Sequence, residues 1–259
     1  MILHIPHASR VVPEDVRDQI VLSDGDLDAE LTRITDAFTD ELFFRPEATT
    51  VRFPISRLVV DVERFPDDAD EPMSRVGMGM IYTRTAQGNR LRRPLRPHET
   101  RHLVAQYYEP HHRRLLAAAE DELAQYGRAL IVDCHSFPSR PLPCDEDQSM
   151  PRPDVCIGTD SFHTPATLIQ LFARTFQEIG YGVDIDRPYT GSMVPMAFCK
   201  QDLRVASIMI EVNRALYMDE LSGTKTGRFA TIQEQMQAVL ELTEEFQQQG
   251  DPGTSGSSQ

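Results

Sequence analysis

The sequence has little of what membrane proteins, disulfide-stapled domains and nucleic-acid-binding proteins need. Its 259 residues include only four cysteines, and no two of them form a Cys-x-x-Cys pair. Cysteines this sparse cannot staple a domain of this length, so we expect reduced thiols. No apolar run approaches the roughly 20 residues that span a bilayer, and the first residues lack the pattern of a secretory signal. We therefore expect a soluble, cytoplasmic protein.

Positive charge is also scarce. The 26 lysines and arginines face 40 aspartates and glutamates, which gives a formal net charge of −14. Because binding to phosphate-rich polymers and anionic membranes depends on excess basic side chains, neither nucleic acid nor a membrane is an expected partner. A local basic pocket is still compatible with this balance, and the arginine-rich stretch 84–96 is where one could lie. Such a pocket would let an acidic protein hold a small anionic substrate.

The order of the sequence patterns indicates a single α/β domain. Segments with apolar residues at helical spacing alternate with short apolar runs, which predicts a mostly parallel mixed sheet flanked by helices. We expect a catalytic domain over residues 1–248. We expect a disordered tail at 249–259, because these residues carry no apolar side chains that could be buried in a core. The expected helices run through Leu31, Ile34 and Phe38, over 98–126 with a possible kink at Pro110, over 164–179 and over 229–246. Short strands are expected at 77–84 and 155–158, and another that ends at 185.

Four short apolar runs end in side chains that bind metals or transfer protons. They occupy residues 1–7, 58–64, 130–136 and 208–214. Buried strands of an open α/β sheet read as continuous apolar runs, and ligands gather beyond the carboxyl ends of such strands. We therefore expect these runs to be strands whose ends meet at one site. The histidines and carboxylates collected there predict a metal-assisted hydrolase.

The segment Asp133-Cys-His-Ser136 is the most specific of these signals. Side chains alternate along a strand, so Asp133 and His135 share one face. A neutral imidazole at a strand end is a suitable zinc ligand, and a nearby carboxylate can fix its tautomer. The alternative is a structural histidine beside an Asp133 that caps a helix. Ser136 is a weaker nucleophile candidate, because no Gly-x-Ser-x-Gly turn surrounds it.

The first and second runs add further ligand candidates. His7 follows the first strand, where a metal ligand is expected, whereas His4 lies inside it and fits a hydrogen-bonded core histidine better. In the second run, alternation puts Asp61 and Glu63 on one side and Arg64 opposite. A salt-bridge cluster is the competing interpretation of these three residues.

The fourth run offers a general base. Glu211 lies between apolar residues, and burial raises the pKa of a carboxyl group toward neutrality, which suits removal of a proton from water. Asn213, two positions later, would face the same cleft as an amide donor. An ion pair between Glu211 and Arg214 is the alternative.

A rival metal site is present between residues 98 and 112. His98 and His102 with Glu99 satisfy the His-Glu-x-x-His pattern, but they follow a basic, proline-containing segment where an exposed helix start is commoner. His111 and His112 cannot bind one ion together, because adjacent helical residues do not face each other. We therefore favour the strand-end site.

Taken in order, the motifs make the chain resemble the N-formylglutamate amidohydrolase family, which is similar in fold to zinc carboxypeptidases and aspartoacylase. The resemblance covers the chain to about residue 220. The motifs are His4-Ile-Pro-His-Ala-Ser9, Val60-Asp-Val-Glu-Arg-Phe-Pro66, Gly79-Met-Ile-Tyr-Thr-Arg84, Tyr107-Tyr-Glu-Pro-His-His112, Val132-Asp-Cys-His-Ser136, Pro188-Tyr-Thr-Gly191 and Ile210-Glu-Val-Asn-Arg214. The resemblance implies a zinc-peptidase (phosphorylase/hydrolase)-like fold.

The resemblance also implies a reaction and roles for residues. The reaction is hydrolysis of N-formyl-L-glutamate to glutamate and formate, a late step of one route of histidine degradation. His7 and His135 resemble the zinc ligands, and Glu211 resembles the carboxylate that activates water. The residues that the resemblance and the cleft suggest for substrate binding are Arg64, Arg84, Asn213, Thr190 and Gly191.

The chain departs from the family pattern in its second run. The family commonly has Asp-x-Asn-Arg where this chain has Asp61-Val-Glu63-Arg64. Relatives in the wider fold take a ligand from His-x-x-Glu, but Arg10 occupies that position after His7. We expect Asp61 as the third ligand, in preference to Glu63. The alternatives are another N-acyl amino acid as substrate, a metal-assisted esterase or phosphoesterase, or a non-catalytic module that binds a dicarboxylate.

Overall fold

The computed structural model describes residues 1–249, and the side chains of residues 1–242. Of the expected tail at 249–259, only Gln249 is among them, and it ends the last helix. The rest of that prediction lies outside the described residues. Within residues 1–249, no helix has both the length and the apolar character that crossing a membrane requires.

A six-stranded sheet forms the centre of the fold. Its strands are β1 (Ile2–Ile5), β2 (Thr49–Arg52), β3 (Ala129–Phe137), β4 (Val155–Gly158), β5 (Val183–Ile185) and β6 (Val205–Asn213). The order across the sheet is β2-β1-β3-β6-β4-β5. The first four of these are parallel, β4 runs antiparallel to β6, and β5 is parallel to β4. The predicted mostly parallel mixed sheet is confirmed. A small hairpin of β7 (Met218–Asp219) and β8 (Thr224–Lys225) lies apart from it.

Helices flank this sheet, as predicted. They are α1 (Glu14–Arg17), α2 (Asp24–Ile34), α3 (Thr39–Leu42), α4 (Pro97–Leu103), α5 (Glu109–Tyr126), α6 (Ala166–Ile179) and α7 (Phe229–Gln249). A turn of π-helix, Val104–Tyr108, joins α4 to α5, so the expected helix over 98–126 is one helical segment with a local irregularity. Short 3₁₀ turns occupy Pro72–Val76 and Arg214–Leu216.

Alternation along the strands decides what each face of the sheet buries. Val132 and Ile208 belong to the cluster that contains apolar residues of α6 and α7, whereas Ile131 and Val205 pack with Leu115 of α5. Both faces are therefore apolar, which explains the continuous apolar runs in the sequence.

Two predicted strands are wrong. Residues 58–60 form turns, and the edge strand beside β1 is Thr49–Arg52 instead. Residues 77–84 also contain no strand, although Arg84 makes an isolated bridge to Arg90. Leu58, Val59 and Val60 are fully buried, but they pack into clusters with residues of helices and loops that lie outside the sheet. A short buried apolar run has the same pattern in a loop as in a strand.

Helix α2 ends earlier than its apolar spacing suggests. Ser23 caps its start by accepting a hydrogen bond from Asp26 N at 3.2 Å. The helix stops at Ile34, because Thr35 is extended and Phe38 has a positive φ of 67°. This early end brings Asp36 against the sheet, where its backbone N donates to the carbonyl oxygen of His7.

Candidate active site

The candidate site lies where β1, β3 and β6 end. Register places His4 beside Asp133 and His135 beside Glu211. Asp133 and His135 continue the face of β3 that buries Ile131 against α5, so this face changes from apolar to polar toward the carboxyl end of the strand. Parallel strands end at the same edge, which gathers these side chains as predicted.

Three ligand atoms at this edge form a group that could hold a metal ion. One nitrogen each from His7 and His135 and one oxygen of Glu63 lie within 4.8 Å of one another. The closest approaches are 3.5 Å from His7 Nδ1 to Glu63 Oε2 and 3.2 Å from His135 Nε2 to Glu63 Oε1. His7 Nδ1 is buried and has no hydrogen-bond partner among the described residues. Two imidazoles and a carboxylate are ligands that Zn²⁺ accepts in open catalytic sites.

Carboxylates fix both imidazoles through their other nitrogens. His7 Nε2 donates to Asp61 Oδ1 at 2.9 Å, and His135 Nδ1 donates to Asp36 Oδ2 at 2.9 Å. Each remaining nitrogen therefore faces Glu63, an arrangement that supports metal-ligating histidines in proteins. Burial alone would lower the pKa of His135, but Glu63 and Asp133 raise it well above its usual value. A proton and a cation would thus compete for this histidine.

Asp61 differs from the ligand role expected for it. It is fully buried, and its two oxygens accept hydrogen bonds from His7, from Arg57 Nη2 at 2.8 Å and from the Tyr82 hydroxyl. Burial raises its pKa, but Arg57 and His7 outweigh this and lower it well below the usual value. Because both oxygens are occupied, Asp61 orients His7, and Glu63 takes the position next to His7 Nδ1 and His135 Nε2. His135 Nε2 also lies 3.1 Å from Asp133 Oδ1.

A row of buried hydrogen bonds through His111 and His4 supports Asp133. His4 Nδ1 donates to Asp133 Oδ1 at 2.7 Å, and His4 Nε2 lies 2.8 Å from Nε2 of His111. Burial lowers the pKa of His111 to about 2, so this imidazole is neutral and donates to His4. His4, Glu63 and Asp133 form a second group of atoms within 4.8 Å of one another. Since His4 is hydrogen-bonded on both nitrogens, the expectation of a satisfied core histidine agrees with its contacts.

Glu211 is a buried carboxyl group without an ion-pair partner among the described residues. It is 7% exposed, and its Oε2 has no hydrogen-bond partner in the described part of the chain. Burial raises its pKa to about 8. The alternative ion pair with Arg214 is not formed, because Arg214 Nη2 donates to Asp36 Oδ1 at 2.9 Å. This environment suits a group that takes up and releases a proton near neutral pH.

These residues open onto a cavity of about 1110 Å³. Arg64 lines it and has a buried Nε without a hydrogen-bond partner among the described residues. The nearest carboxylate oxygens to this Nε are 3.8 Å away on Asp61 and 3.9 Å away on Glu71. Thr190 and Gly191 also line the cavity, and Gly191 has a positive φ of 92° that favours glycine. The structure therefore brings Arg64, Thr190 and Gly191 to the same cavity as the candidate ligands.

Other expected residues lie elsewhere. Arg84 lines a different cavity, and its Nη1 donates to the carbonyl oxygen of Gly88. The Asn213 side chain donates to the carbonyl oxygen of Pro153 and accepts from Ala215 N, so its amide is used within the fold. The rival histidines 98 and 102 are both exposed and belong to neither group of possible metal ligands.

Sequence reasoning missed Asp36 and the role of His111. Asp36 had no detectable signal, because its position depends on where α2 stops. His111 did have one, since it lies four residues before Leu115 on the buried face of α5 and must therefore face the sheet. That spacing identifies it as the buried member of the pair with His112.

Comparison with known proteins is consistent across sequence and structure. A family model described as N-formylglutamate amidohydrolase matches residues 1–218. A protein named N-formylglutamate deformylase from Pseudomonas aeruginosa is 28% identical over 201 residues, which is 75% of this chain and 72% of that protein.

Two solved structures share the fold. A crystal structure of N-formylglutamate amidohydrolase from Ralstonia eutropha superposes with a TM-score of 0.82 at 24% identity and covers 96% of this chain and 94% of that one. A gene product from Agrobacterium tumefaciens has a TM-score of 0.60 at 20% identity, with 94% and 91% covered. The single-domain α/β architecture is thus the same as that of an amidohydrolase of known structure.

Proposed function

Because this chain belongs to the N-formylglutamate amidohydrolase family and is therefore a hydrolase acting on an amide, we propose that it cleaves the formamide of N-formyl-L-glutamate with a divalent metal ion. The products are glutamate and formate. The observation that carries the metal dependence is the group of ligand atoms from His7, Glu63 and His135. The substrate follows from the relatives and agrees with a cationic side chain in the cavity.

The donor set fits a zinc ion. We propose His7, Glu63 and His135 as ligands, in place of the set with Asp61. The buried and unpartnered Nδ1 of His7 supports this choice, as do five hydrogen bonds to the oxygens of Asp61. Their donors are His7 Nε2, Arg57 Nε and Nη2, the backbone N of Glu63 and the Tyr82 hydroxyl. A bound divalent ion polarises the formyl carbonyl and activates the attacking water.

Glu211 moves the proton. Its unpartnered Oε2 accepts a proton from the attacking water as the new carbon–oxygen bond forms. It returns that proton to the amide nitrogen as the carbon–nitrogen bond breaks, so glutamate leaves as an amine. This step yields formic acid and the free amine of glutamate, and transfer of the acid proton to the amine gives formate and glutamate.

Arg64 binds a carboxylate of the substrate. Its guanidinium lies at the cavity and its Nε is unpartnered, whereas Arg57 and Arg214 are already paired with Asp61 and Asp36. The planar fork of arginine gives bidentate hydrogen bonds to a carboxylate. Thr190 and Gly191, which line the same cavity, supply polar contacts, and Asn213 is a weaker candidate because its amide is occupied.

Formate release from N-formyl-L-glutamate tests this function. Purified full-length protein should release formate as isolated, lose activity after chelation and regain it with Zn²⁺. Glu211→Gln should lower kcat by about 10²- to 10⁴-fold with metal content unchanged. Glu178→Gln, an exposed change on α6, serves as the matched control and should retain full activity.

Two results would contradict the proposal. The first is full activity in Glu211→Gln, which would remove the assigned base. The second is turnover of a phosphate monoester but not of N-formyl- or N-acetyl-glutamate, which would favour a metal-assisted phosphoesterase.

A further inference from the structure

A second cavity lies beside the first and contains none of the candidate metal ligands. Its volume is about 1050 Å³. One wall is the arginine-rich stretch 84–93, and the other includes Pro66, Asp67 and Asp68. Pro66 and Asp67 also line the first cavity, so this loop separates the two.

Arg92 is a buried cation without a counter-ion in this cavity. It is 3% exposed, and its Nη2 donates to the backbone carbonyl oxygens of Leu58 and Val59. Its Nε and Nη1 have no hydrogen-bond partner among the described residues. No carboxylate of the described side chains lies within 4 Å, and burial lowers the pKa of Arg92 to about 10. An unpaired buried charge is costly, so a protein retains one only where something else offsets it.

Two exposed arginines of the same cavity are also unpaired. Arg84 and Arg90 donate only to backbone carbonyl oxygens, those of Gly88 and Arg92, and neither has an ion pair within the described residues. The fourth arginine, Arg93, is already held by two bonds to Glu99. In a chain with a net charge of −14, three guanidinium groups that share a concave surface without a carboxylate partner are an exception.

We propose that this second cavity binds a small anion through a carboxylate or phosphate group. Arg84 and Arg90 would grip the anion at the mouth, where arginine forks match either oxyanion, and Arg92 would supply positive charge from below. Asp67 and Asp68 on the opposite wall repel a polyanion, so the ligand carries one compact anionic group. The site is distinct from the candidate active site and does not depend on the proposed function.

Titration calorimetry with inorganic phosphate and, separately, with acetate, which carries a single carboxylate, tests the site. The holoprotein should bind one or both with a Kd no weaker than about 10 mM, at one anion per chain. The variant Arg84→Gln/Arg90→Gln should bind at least about tenfold more weakly, which is the loss expected from removing charged hydrogen bonds. Both changed side chains are exposed, so this variant should fold.

Two controls separate the cavities. Arg75→Gln/Arg101→Gln removes two exposed arginines that line neither cavity and should keep wild-type affinity. Arg64→Gln changes the first cavity only and should also keep the binding. Affinity that is lost in Arg64→Gln but kept in Arg84→Gln/Arg90→Gln would assign the anion to the first cavity and overturn the proposal. The absence of saturable binding by either anion would overturn it too, whatever the activity on N-formyl-L-glutamate.

Discussion

The two neighbouring cavities differ in whether their arginines have carboxylate partners. In the first, Arg57 pairs with Asp61 at 2.8 Å and Arg214 pairs with Asp36 at 2.9 Å. In the second, the arginines at 84, 90 and 92 have no carboxylate partner among the described side chains. A buried arginine with a fixed partner positions that partner, whereas an unpaired one is available to a ligand. The difference separates arginines that build a site from arginines that bind something.

The same contrast appears in the carboxylates. Those that line the first cavity include Asp36, Glu63, Asp133 and Glu211. They outnumber the cations that face them, which suits a site for a positive ion. Arg64 differs from Arg57 and Arg214 because its Nε lies 3.8 and 3.9 Å from oxygens of Asp61 and Glu71 and has no hydrogen-bond partner among the described residues. We therefore expect it to contact the substrate.

Removing a candidate ligand should have the largest effect. His135→Ala deletes one of the two imidazoles that face Glu63, so metal content should fall and formate release should drop by more than about 100-fold. This exceeds the loss typical of changing a residue that only supports a ligand. The measurement is metal analysis of the purified variant coupled to the formate assay.

His102→Ala is the matched control for this change, because His102 is exposed and belongs to the rival His-Glu-x-x-His pattern. It should retain both metal and activity. If His102→Ala lost the metal and His135→Ala kept it, the strand-end site would be the wrong one.

A smaller effect is expected at Arg64. Arg64→Gln should raise KM for N-formyl-L-glutamate by roughly 10- to 100-fold with little change in kcat, because a charged hydrogen bond to the substrate is lost. Steady-state kinetics on Arg64→Gln, Arg84→Gln and Arg101→Gln compare the two cavities directly. An increase in KM confined to Arg84→Gln would assign the substrate carboxylate to Arg84, the other arginine that the sequence suggested.

The strand-end residues were predictable because burial and function leave a local pattern there. β3 and β6 are continuous apolar runs, and His135 and Glu211 interrupt them at the ends that parallel strands bring together. His7 follows β1 in the same way. Position along a strand fixes the face and the edge, so the meeting of these three residues at one edge of the sheet could be predicted from the sequence.

The remaining site residues depend on how loops fold. Residues 58–60 form buried turns instead of a strand, and the choice between Asp61 and Glu63 depends on which one faces Arg57 and Tyr82. Asp36 enters the site only because α2 ends at Ile34. The position of Arg84 also depends on a loop. The segment before it is not a strand, and Arg84 lines the second cavity. No local periodicity encodes these contacts.

The smallest expected effect is on the pH dependence of stability. It arises from Glu211, one of the carboxyl groups that outnumber the cations in the first cavity. The folded protein raises the pKa of Glu211 to about 8, above the ordinary carboxyl value, so folding favours its protonated form. The contribution of protonated Glu211 to the free energy of unfolding is fully present below the pKa that Glu211 has in the unfolded chain. It is lost as the pH rises through about 8, the pKa in the folded protein. Metal-free wild type should therefore lose stability between pH 5 and 9 more steeply than metal-free Glu211→Gln, which cannot ionise at this position.

Chemical denaturation of both metal-free proteins from pH 5 to 9 measures this difference, with Glu178→Gln as the control for loss of an exposed carboxylate. Each unit of pKa shift corresponds to about 1.4 kcal/mol, so the wild type and Glu211→Gln should diverge measurably at high pH. Parallel stability curves for these two proteins would mean that Glu211 finds a partner or solvent in the metal-free state. In that case the first cavity would neutralise the buried carboxyl group of Glu211 as it neutralises the guanidinium groups of Arg57 and Arg214.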